Sequence, residues 1–568
     1  MISVRTSNLV STYDVREFER VVVNSALWSA AGDALGWMTE LSRGTSGVKH
    51  RTGVNFVKEP LAWKRLIGGR SGVSIDLPTG TYSDDTQLRL AVSRAIRGNG
   101  DFDVEAFAKV EVTVWQGYGL GAGIGSKAAA TNLSKRGVNW FSNFFKTDRQ
   151  TYTNAGGNGA AMRIQPHVWS SQSSIDEMVK RVLRDALVTH GHPHGFCGAV
   201  FHALCLWATI QDRKIPSLAE ARHFISNMQS IPKLIAEDSE LSSFWLPTWE
   251  REAGVDLESS LQRFCIEAEH DLKLVENVLA HGGRDQYHHV LRELGCLTDR
   301  FRGSGFKTSL AALAQASLHS GGDVEKALIE AANELESDTD TIATMIGALL
   351  GALSPRPPSW TVQDTRYIEK EAVRLARVAF REQQESFAYP DISEWSPPGS
   401  QSDSVVQLGS SLALVGFGPM KAKGKEYSSR GSTWQWFETT HGQTILAKRR
   451  TRLVGKAAKS QFPNVGRSQS PKAPREIDRA VQQDRLNFED RKLPPDRPVR
   501  NTKHKPEEQV STFPGLDLAS QEAISSGFDD ATIGRLFNQC IQETRSLEQA
   551  VGFAAIVAKA KLVRGRRN

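Results

Sequence analysis

Two short stretches set hydroxyls and carboxylates side by side. Asp338, Thr339, Asp340 and Thr341 alternate acid with hydroxyl, and Ser83 and Thr86 bracket the acids Asp84 and Asp85. Each stretch opens an apolar segment. Residues 342–353 are apolar or small except for Thr344, and residues 87–96 read QLRLAVSRAI. Acids and hydroxyls at a helix start satisfy orphan backbone amides, so one reading is a pair of helix caps. A single residue suffices for a cap, however, and neighbouring carboxylates in a low-dielectric site repel unless a cation neutralises them. Hard oxygen donors in this number suit Mg²⁺ or Mn²⁺. Two such helix starts converging on one polynuclear centre put the metal reading ahead of the caps.

Other segments could grip a ligand. Gly119 to Ser126 read GLGAGIGS ahead of a predicted helix. Such a turn lets backbone N–H groups approach a phosphate, or it is a plain flexible connection. Gly156, Gly157, Asn158 and Gly159 also lead into a helix, with Met162, Ile164 and Val168 facing inward. They bind phosphate or ribose through backbone and side-chain amides, or they form a simple lead-in loop. His190, His192 and His194 alternate, but their flanks read as helix ends. Alternate histidines ligate a metal from a strand, so this is not read as a zinc site.

The elements that must position these groups read as helices. Residues 15–40 have helical periodicity, and Ala30, Ala31, Gly32, Ala34 and Gly36 give a face that another helix can approach closely. Residues 41–80 read as a long basic loop punctuated by glycines. Helices are predicted from Asp84 to about Gly98, and over 102–118, 175–189, 306–319, 323–334, 342–353 and 360–385. No convincing alternating strand precedes residue 389. The expectation is an all-α, compact multi-helix domain over 1–389 with the site at its centre. After it come a linker at 390–404 rich in Pro, Gly and Ser, and a small β-containing segment at 405–455 with short alternating runs. A disordered basic, Pro-rich segment is expected at 456–514 and a helical segment at 515–568, with one or two amphipathic helices over 528–564.

Composition sets the bounds. The chain has 568 residues, 39% of them hydrophobic, and a net charge of +6. That length implies two or more units, and that charge does not by itself imply nucleic acid. The basic stretch 448–452 and the basic C-terminal tail either contact nucleic acid or acidic proteins, or are simply solvated. Five cysteines without CxxC spacing indicate no disulfide framework. No signal peptide and no membrane-spanning apolar run are read, so a soluble, cytoplasmic protein without a membrane partner is expected.

Five motifs, in one order, resemble the ADP-ribosylglycohydrolase family: AAGDALGWMTE (Ala30 to Glu40), YSDDTQ (Tyr82 to Gln87), GGNGAAMRIQP (Gly156 to Pro166), THGHP (Thr189 to Pro193) and SDTDTIA (Ser337 to Ala343). The resemblance covers roughly the first 360 residues and not the C-terminal third. It implies hydrolysis of the glycosidic bond at C1″ of ADP-ribose, with two divalent cations, Mg²⁺ or Mn²⁺. It makes Ser83, Asp84, Asp85, Asp338, Asp340 and Thr341 the ligands. Glu40, Asp84 and Asp340 become the catalytic acids, with Glu40 the preferred proton-transfer group. Gly121, Ala122, Gly123, Ile124 and Gly125 become the pyrophosphate cradle, while Gly157, Asn158, Gly159 and His190 line the substrate cleft. One of Trp140, Phe141, Phe144, Phe145 and Tyr152 stacks on adenine, or all are core anchors. The implied partner is an ADP-ribosylated protein. Two departures stand out: Ser83 replaces a usual threonine, and Glu336 and Ser337 replace two glycines that permit a tight backbone path. The second leaves an alternative, a catalytically impaired ADP-ribose-binding module of the same fold.

Overall fold

The computed structural model describes residues 9–69, 72–172, 174–453, 458–463, 513–544 and 547–565. In chain order, α1 (Val15–Trp37) and α2 (Gly44–Thr52) precede a hairpin of β1 (Trp63–Ile67) and β2 (Val73–Leu77). Next come α3 (Asp84–Ala95), α4 (Ile124–Leu133), α5 (Ile175–Leu187), α6 (Pro193–Asp212) and α7 (Leu257–His281). The helical body closes with α8 (Gly305–Leu318), α9 (Thr339–Leu353) and α10 (Thr365–Ala379). Residues 41–80 are therefore not a simple loop. They hold a helix and an antiparallel ladder that pairs Trp63 with Leu77 and Arg65 with Ile75. Its five-residue arms, separated by Gly68, Gly69 and Gly72, are too short to show a clear alternation. One helix, Pro193–Asp212, is long and apolar enough to cross a membrane by length and composition, contrary to the expectation from sequence; its apolar window is wholly buried within the fold. All five cysteines are free and buried.

The centre of the body is an antiparallel pair, α1 against α9, in backbone contact. A Cβ added to Gly36 would lie 2.3 Å from the Thr339 carbonyl oxygen, and one on Gly32 would lie 2.3 Å from that of Ala343. From the other side, a Cβ on Gly347 would lie 2.3 Å from the Trp28 carbonyl oxygen, and one on Gly351 would lie 2.9 Å from that of Asn24. The four contacts recur every fourth residue along both helices, as one ridge packed into one groove. Hydrogen bonds lock the register: Ser25 Oγ donates to Ala348 O (2.8 Å) and Thr339 Oγ1 to Gly36 O (2.8 Å).

Beyond the helices, β3 (Val405–Leu408), β4 (Ser411–Leu414), β5 (Gly418–Ser429), β6 (Ser432–Thr439) and β7 (Thr444–Arg450) form an antiparallel meander in sequential order. The expected short strands are present as a sheet. Its Leu414, Phe417, Trp434, Phe437 and Ile445 belong to the same hydrophobic core as the helices. The basic stretch at 448–452 is largely engaged within the fold. Lys448 lies over the Trp434 ring (5.3 Å), Arg449 pairs with Glu426 (2.6 Å) and Arg450 with Asp403 (2.6 Å). Most of the segment expected to be disordered, 464–512, lies outside the described residues. The helical segment expected at 515–568 holds α11 (Leu516–Ser525) and, over the stretch expected to carry one or two helices, α12 (Asp530–Thr544) and α13 (Leu547–Gly565). They share a small core of Ala519, Ala523, Leu536, Phe553 and Val557, and Lys559 forms an ion pair with Glu105 on the main body.

Gly36→Ala is expected to destabilise the protein by about 1–3 kcal/mol, because the new methyl meets backbone that cannot rotate away. Gly534→Ala, in exposed α12 where nothing lies within 4 Å, should be neutral or slightly stabilising. Thermal unfolding of the two variants beside wild type measures the difference.

Candidate functional site

The site is assembled by a residue that the sequence reading passed over. Asp33 lies in the small-residue face of α1 and is fully buried. Its Oδ1 accepts from Ser83 N (2.9 Å), and its Oδ2 accepts from Thr86 N (2.9 Å) and Thr86 Oγ1 (2.6 Å). One carboxylate from α1 thus caps the start of α3. The signal was available: an acid between Gly32 and Ala34, on a face narrow enough for backbone contact, has no water to face and needs donors from another element.

The α1–α9 register brings the start of α9 to the same place. Thr341 Oγ1 lies 3.3 Å from Asp85 Oδ1, joining the two acid motifs. Ser83 also caps its own helix, accepting from Asp85 N (3.2 Å). Asp338 occupies the cap position of α9 without capping it; its Oδ2 instead accepts from Asn158 Nδ2 (3.1 Å). Thr341 N donates to Asp340 Oδ1 (2.9 Å). Burial, and then the negative charge of the neighbouring acids, push Asp84, Asp85 and Asp340 well above the usual carboxylate range. The charged neighbours are Glu40 and Asp33 for Asp84, Asp33, Asp84 and Asp338 for Asp85, and Glu40, Asp338 and Asp85 for Asp340.

Glu40 follows α1 in a turn. Its Oε2 accepts from Arg65 Nη2 (3.0 Å), and its carbonyl accepts from Arg51 Nη1 (2.6 Å). Arg65 comes from β1 and lies over Trp37 (5.1 Å) and Trp63 (5.8 Å). Burial raises the Glu40 pKa, Arg65 opposes that rise, and Asp338 adds to it. Sequence reading missed this pairing because residues 41–80 looked like loop.

The glycine-rich turn meets the acids directly. Asp84 N donates to Leu120 O (2.6 Å), and Gly121 adopts φ +86°, where a Cβ would stand 2.9 Å from Asp84 Oδ1. Ala122 is partly buried against the core, Ile124 is exposed, and Gly123 faces open space at the start of α4 with no side-chain cap. A Cβ on Gly125 would lie 3.2 Å from Gln150 Oε1, so this end of the cradle is closer-packed.

A second wall faces the acids. Asn158 N donates to Gly303 O (2.9 Å), while Gly157 bridges to Ser304. A Cβ on Gly159 would lie 2.7 Å from Ser126 Oγ and 3.0 Å from the His190 ring. Behind it, Arg163 binds Asp185 Oδ1 (2.8 Å), Gly159 O (2.9 Å) and Thr189 Oγ1 (2.9 Å). Thr189 Oγ1, which accepts from Arg163, also lies 2.7 Å from His190 Nδ1. The other ring nitrogen, Nε2, lies on the side of Gly157. Burial, reinforced by Arg163, lowers the His190 pKa to about 3, so the ring is neutral.

Several sequence candidates fall elsewhere. Trp140, Phe141, Phe145 and Tyr152 are buried core anchors, and the partly buried Phe144 packs edge-on against Tyr152. His192 caps α6, and His194 binds Ser304 Oγ (2.7 Å) and Glu267 Oε2 (3.2 Å). Glu336 and Ser337 keep ordinary negative-φ backbone, so the missing glycines leave no strain.

Among the described residues, no group of three or more His, Cys, Asp or Glu side chains is placed to hold a metal ion by itself. The donors form an open set instead, part carboxylate and part hydroxyl. Asp85 Oδ2 is buried without a hydrogen-bond partner. An orphaned carboxylate oxygen amid mutually repelling acids is the environment a hard divalent cation relieves, so the residues present fit one.

A model of the ADP-ribosylglycohydrolase family matches residues 17–386, which is well over half of the chain. The Acanthamoeba polyphaga mimivirus protein L543, assigned provisionally as an ADP-ribosyl glycohydrolase, is 24% identical over 383 residues, 66% of this chain and 97% of its own. ADP-ribosylhydrolase ARH3 of Xenopus tropicalis is 24% identical over 304 residues, 51% of this chain and 79% of its own. The ADP-ribosyl-dinitrogen reductase glycohydrolase of Rhodospirillum rubrum is 27% identical over 166 residues, 29% of this chain and 49% of its own.

The buried neutral His190 gives an acid-stability prediction. Its folded pKa is lowered from 6.5 to about 3. The unfolded chain therefore binds a proton that the folded chain refuses, and stability falls as pH drops from 6.5 towards 3. The slope from this group is at most about 1.4 kcal/mol per pH unit. His190→Gln, which cannot titrate, should show a shallower loss between pH 6.5 and 4 in denaturant unfolding.

Proposed function

The chain belongs to the ADP-ribosylglycohydrolase family, and from that premise we propose that it hydrolyses the C1″ glycosidic bond of ADP-ribose attached to a protein in a reaction dependent on divalent cations. The observation that carries this reading is the 3.3 Å contact between Thr341 and Asp85, which unites the two acid motifs at one point. Ser83, Asp84 and Asp85 from one helix start, and Asp338, Asp340 and Thr341 from the other, would hold two Mg²⁺ or Mn²⁺ ions. When bound, such ions neutralise the acids, orient ribose hydroxyls and lower the pKa of water.

The chain's own groups account for the rest. Breaking the bond builds positive charge on the ribose ring and negative charge on the leaving atom. The acidic floor made by Asp84 and Asp340 stabilises the first. Glu40 is the proton-transfer group: it is the acid held at the edge of the cluster by Arg65, and burial raises its pKa. Backbone amides of Gly121, Gly123 and Gly125, with Ala122 and Ile124 between them, receive the diphosphate at the uncapped start of α4. Asn158 and the neutral His190 ring offer uncharged hydrogen-bonding groups on the facing wall, beside Gly157 and Gly159. They hold hydroxyls without adding charge.

The relatives support an ADP-ribosylated protein as the substrate class, since two are named for release of ADP-ribose. A binding-only module has less support, because Glu336 and Ser337 impose no strained backbone.

Asp84→Asn, Asp338→Asn and Asp340→Asn should each lower ADP-ribose release by at least about 100-fold while leaving helical circular dichroism unchanged. Release from arginine- and serine-linked ADP-ribosyl peptides, with and without Mg²⁺ or Mn²⁺, is the measurement. Full turnover in all three variants would exclude the assignment, and ADP-ribose binding without release from any linkage would favour the binding module.

A further inference from the structure

We propose that the C-terminal β-sheet, which lies outside the family-matched residues, is a positioning element for the reaction centre. It acts through three attachments, at Asp76, Asp364 and Gly117. The kinetic part of this inference rests on the glycohydrolase reading above.

The first attachment holds the β1–β2 hairpin. Tyr427 on β5 accepts from Asp76 N (3.3 Å) and donates to Asp76 Oδ2 (3.1 Å), and Lys425 pairs with the same carboxylate (2.7 Å). Trp436 Nε1 on β6 donates to Asp76 O (3.4 Å). The Trp434 ring fills the space at Gly68, where a Cβ would stand 2.8 Å from it. Asp76 pairs across the hairpin with Lys64, next to Arg65. The sheet therefore fixes the strand that presents Arg65 to Glu40.

The second attachment reaches the acid motif of α3. Asp364 Oδ2 accepts from Tyr82 Oη (2.7 Å) and from Thr444 N at the start of β7 (2.7 Å). Gln443 accepts from Arg94 Nη1 of α3 (2.8 Å), and its amide lies 3.5 Å from Tyr82 Oη. Tyr82 immediately precedes Ser83, so one partly buried carboxylate ties the sheet to the residue that sets the path of Ser83, Asp84 and Asp85.

The third attachment holds the approach to the glycine-rich turn. Lys448 N on β7 donates to Gly117 O (2.8 Å), and a Cβ on Gly117 would lie 2.5 Å from Ser404 Oγ. The chain then turns through Leu120, whose carbonyl accepts from Asp84 N. An appendage that only added stability could attach anywhere. These hydrogen bonds land on the strand beside Arg65, on the residue before Ser83 and on the lead into the cradle. Asp364 and Tyr427 are positioning residues in this account, since neither lies among the groups proposed to touch substrate.

The test uses full-length protein and three variants. Tyr427→Phe removes one hydroxyl at the first attachment. Asp364→Ala removes the shared acceptor at the second, and Asp364→Asn keeps an oxygen there. Amide hydrogen exchange is followed over residues 63–67 and 82–88, with kcat and KM for ADP-ribose release and thermal unfolding. Tyr427→Phe should speed exchange at 63–67, and Asp364→Ala at 82–88. Each should lower kcat between about 5- and 100-fold with KM within about twofold of wild type. Asp364→Asn should recover most of the loss. Unchanged exchange in both segments, unchanged kcat, or Asp364→Asn as slow as Asp364→Ala would overturn the proposal. If Asp364→Ala fails to fold, Tyr427→Phe decides alone. If wild type releases no ADP-ribose from any linkage, the functional reading fails, and the exchange data still decide whether the sheet positions these segments.

Discussion

The backbone contact between α1 and α9 is the constraint from which the rest of the site follows. Four glycines, each four residues from the next along its helix, let the two helices approach until carbonyls stand where side chains would be. That approach fixes the register as well as the distance, because a shift by one residue would drive a Cβ into a backbone oxygen. The register puts the C-terminal end of α1 beside the N-terminal end of α9. Asp33 on α1 then captures the start of α3 with three hydrogen bonds, and the two acid motifs have no other place to go.

The price of that geometry is electrostatic. Six acids, Asp33, Glu40, Asp84, Asp85, Asp338 and Asp340, feel one another's charge, and burial raises the pKa of most of them. Nothing in the packing requires so many acids, since a serine or threonine would cap either helix. The protein nevertheless keeps one of them, Asp85, with an oxygen that no protein donor satisfies. Among the described residues, Arg65 is the one cation hydrogen-bonded to a carboxylate of the cluster, and it holds Glu40 at the edge rather than neutralising the middle. The arrangement is unfavourable for folding and suited to holding positive charge, whether as a cation or as charge developing on a sugar ring.

Much of this was legible in the sequence. The alternation of acid and hydroxyl before an apolar run marks the starts of α3 and α9, and the small residues of α1 mark its close contact. Asp33 stands out only as an acid on a small-residue face; which donors satisfy it is not legible locally, because they lie 50 and 53 residues away. Arg65 was hidden in a hairpin whose arms are too short for an alternation to stand out. The strands of the C-terminal sheet were read from their alternation, but their attachment to Asp76, Asp364 and Gly117 depends on pairings across some eighty to more than three hundred residues, which no periodicity reports. The aromatic cluster around Trp140 and Tyr152 has the composition of a stacking platform; only burial shows it to be core.

The account's central claim is that two helix starts make one divalent-cation site. Calorimetric titration of Mn²⁺ into the full-length protein at neutral pH tests it without reference to substrate. The account predicts saturable binding, weakened at least tenfold both by Asp85→Asn on α3 and by Asp338→Asn on α9. Absence of binding, or binding that either substitution leaves untouched, would contradict it.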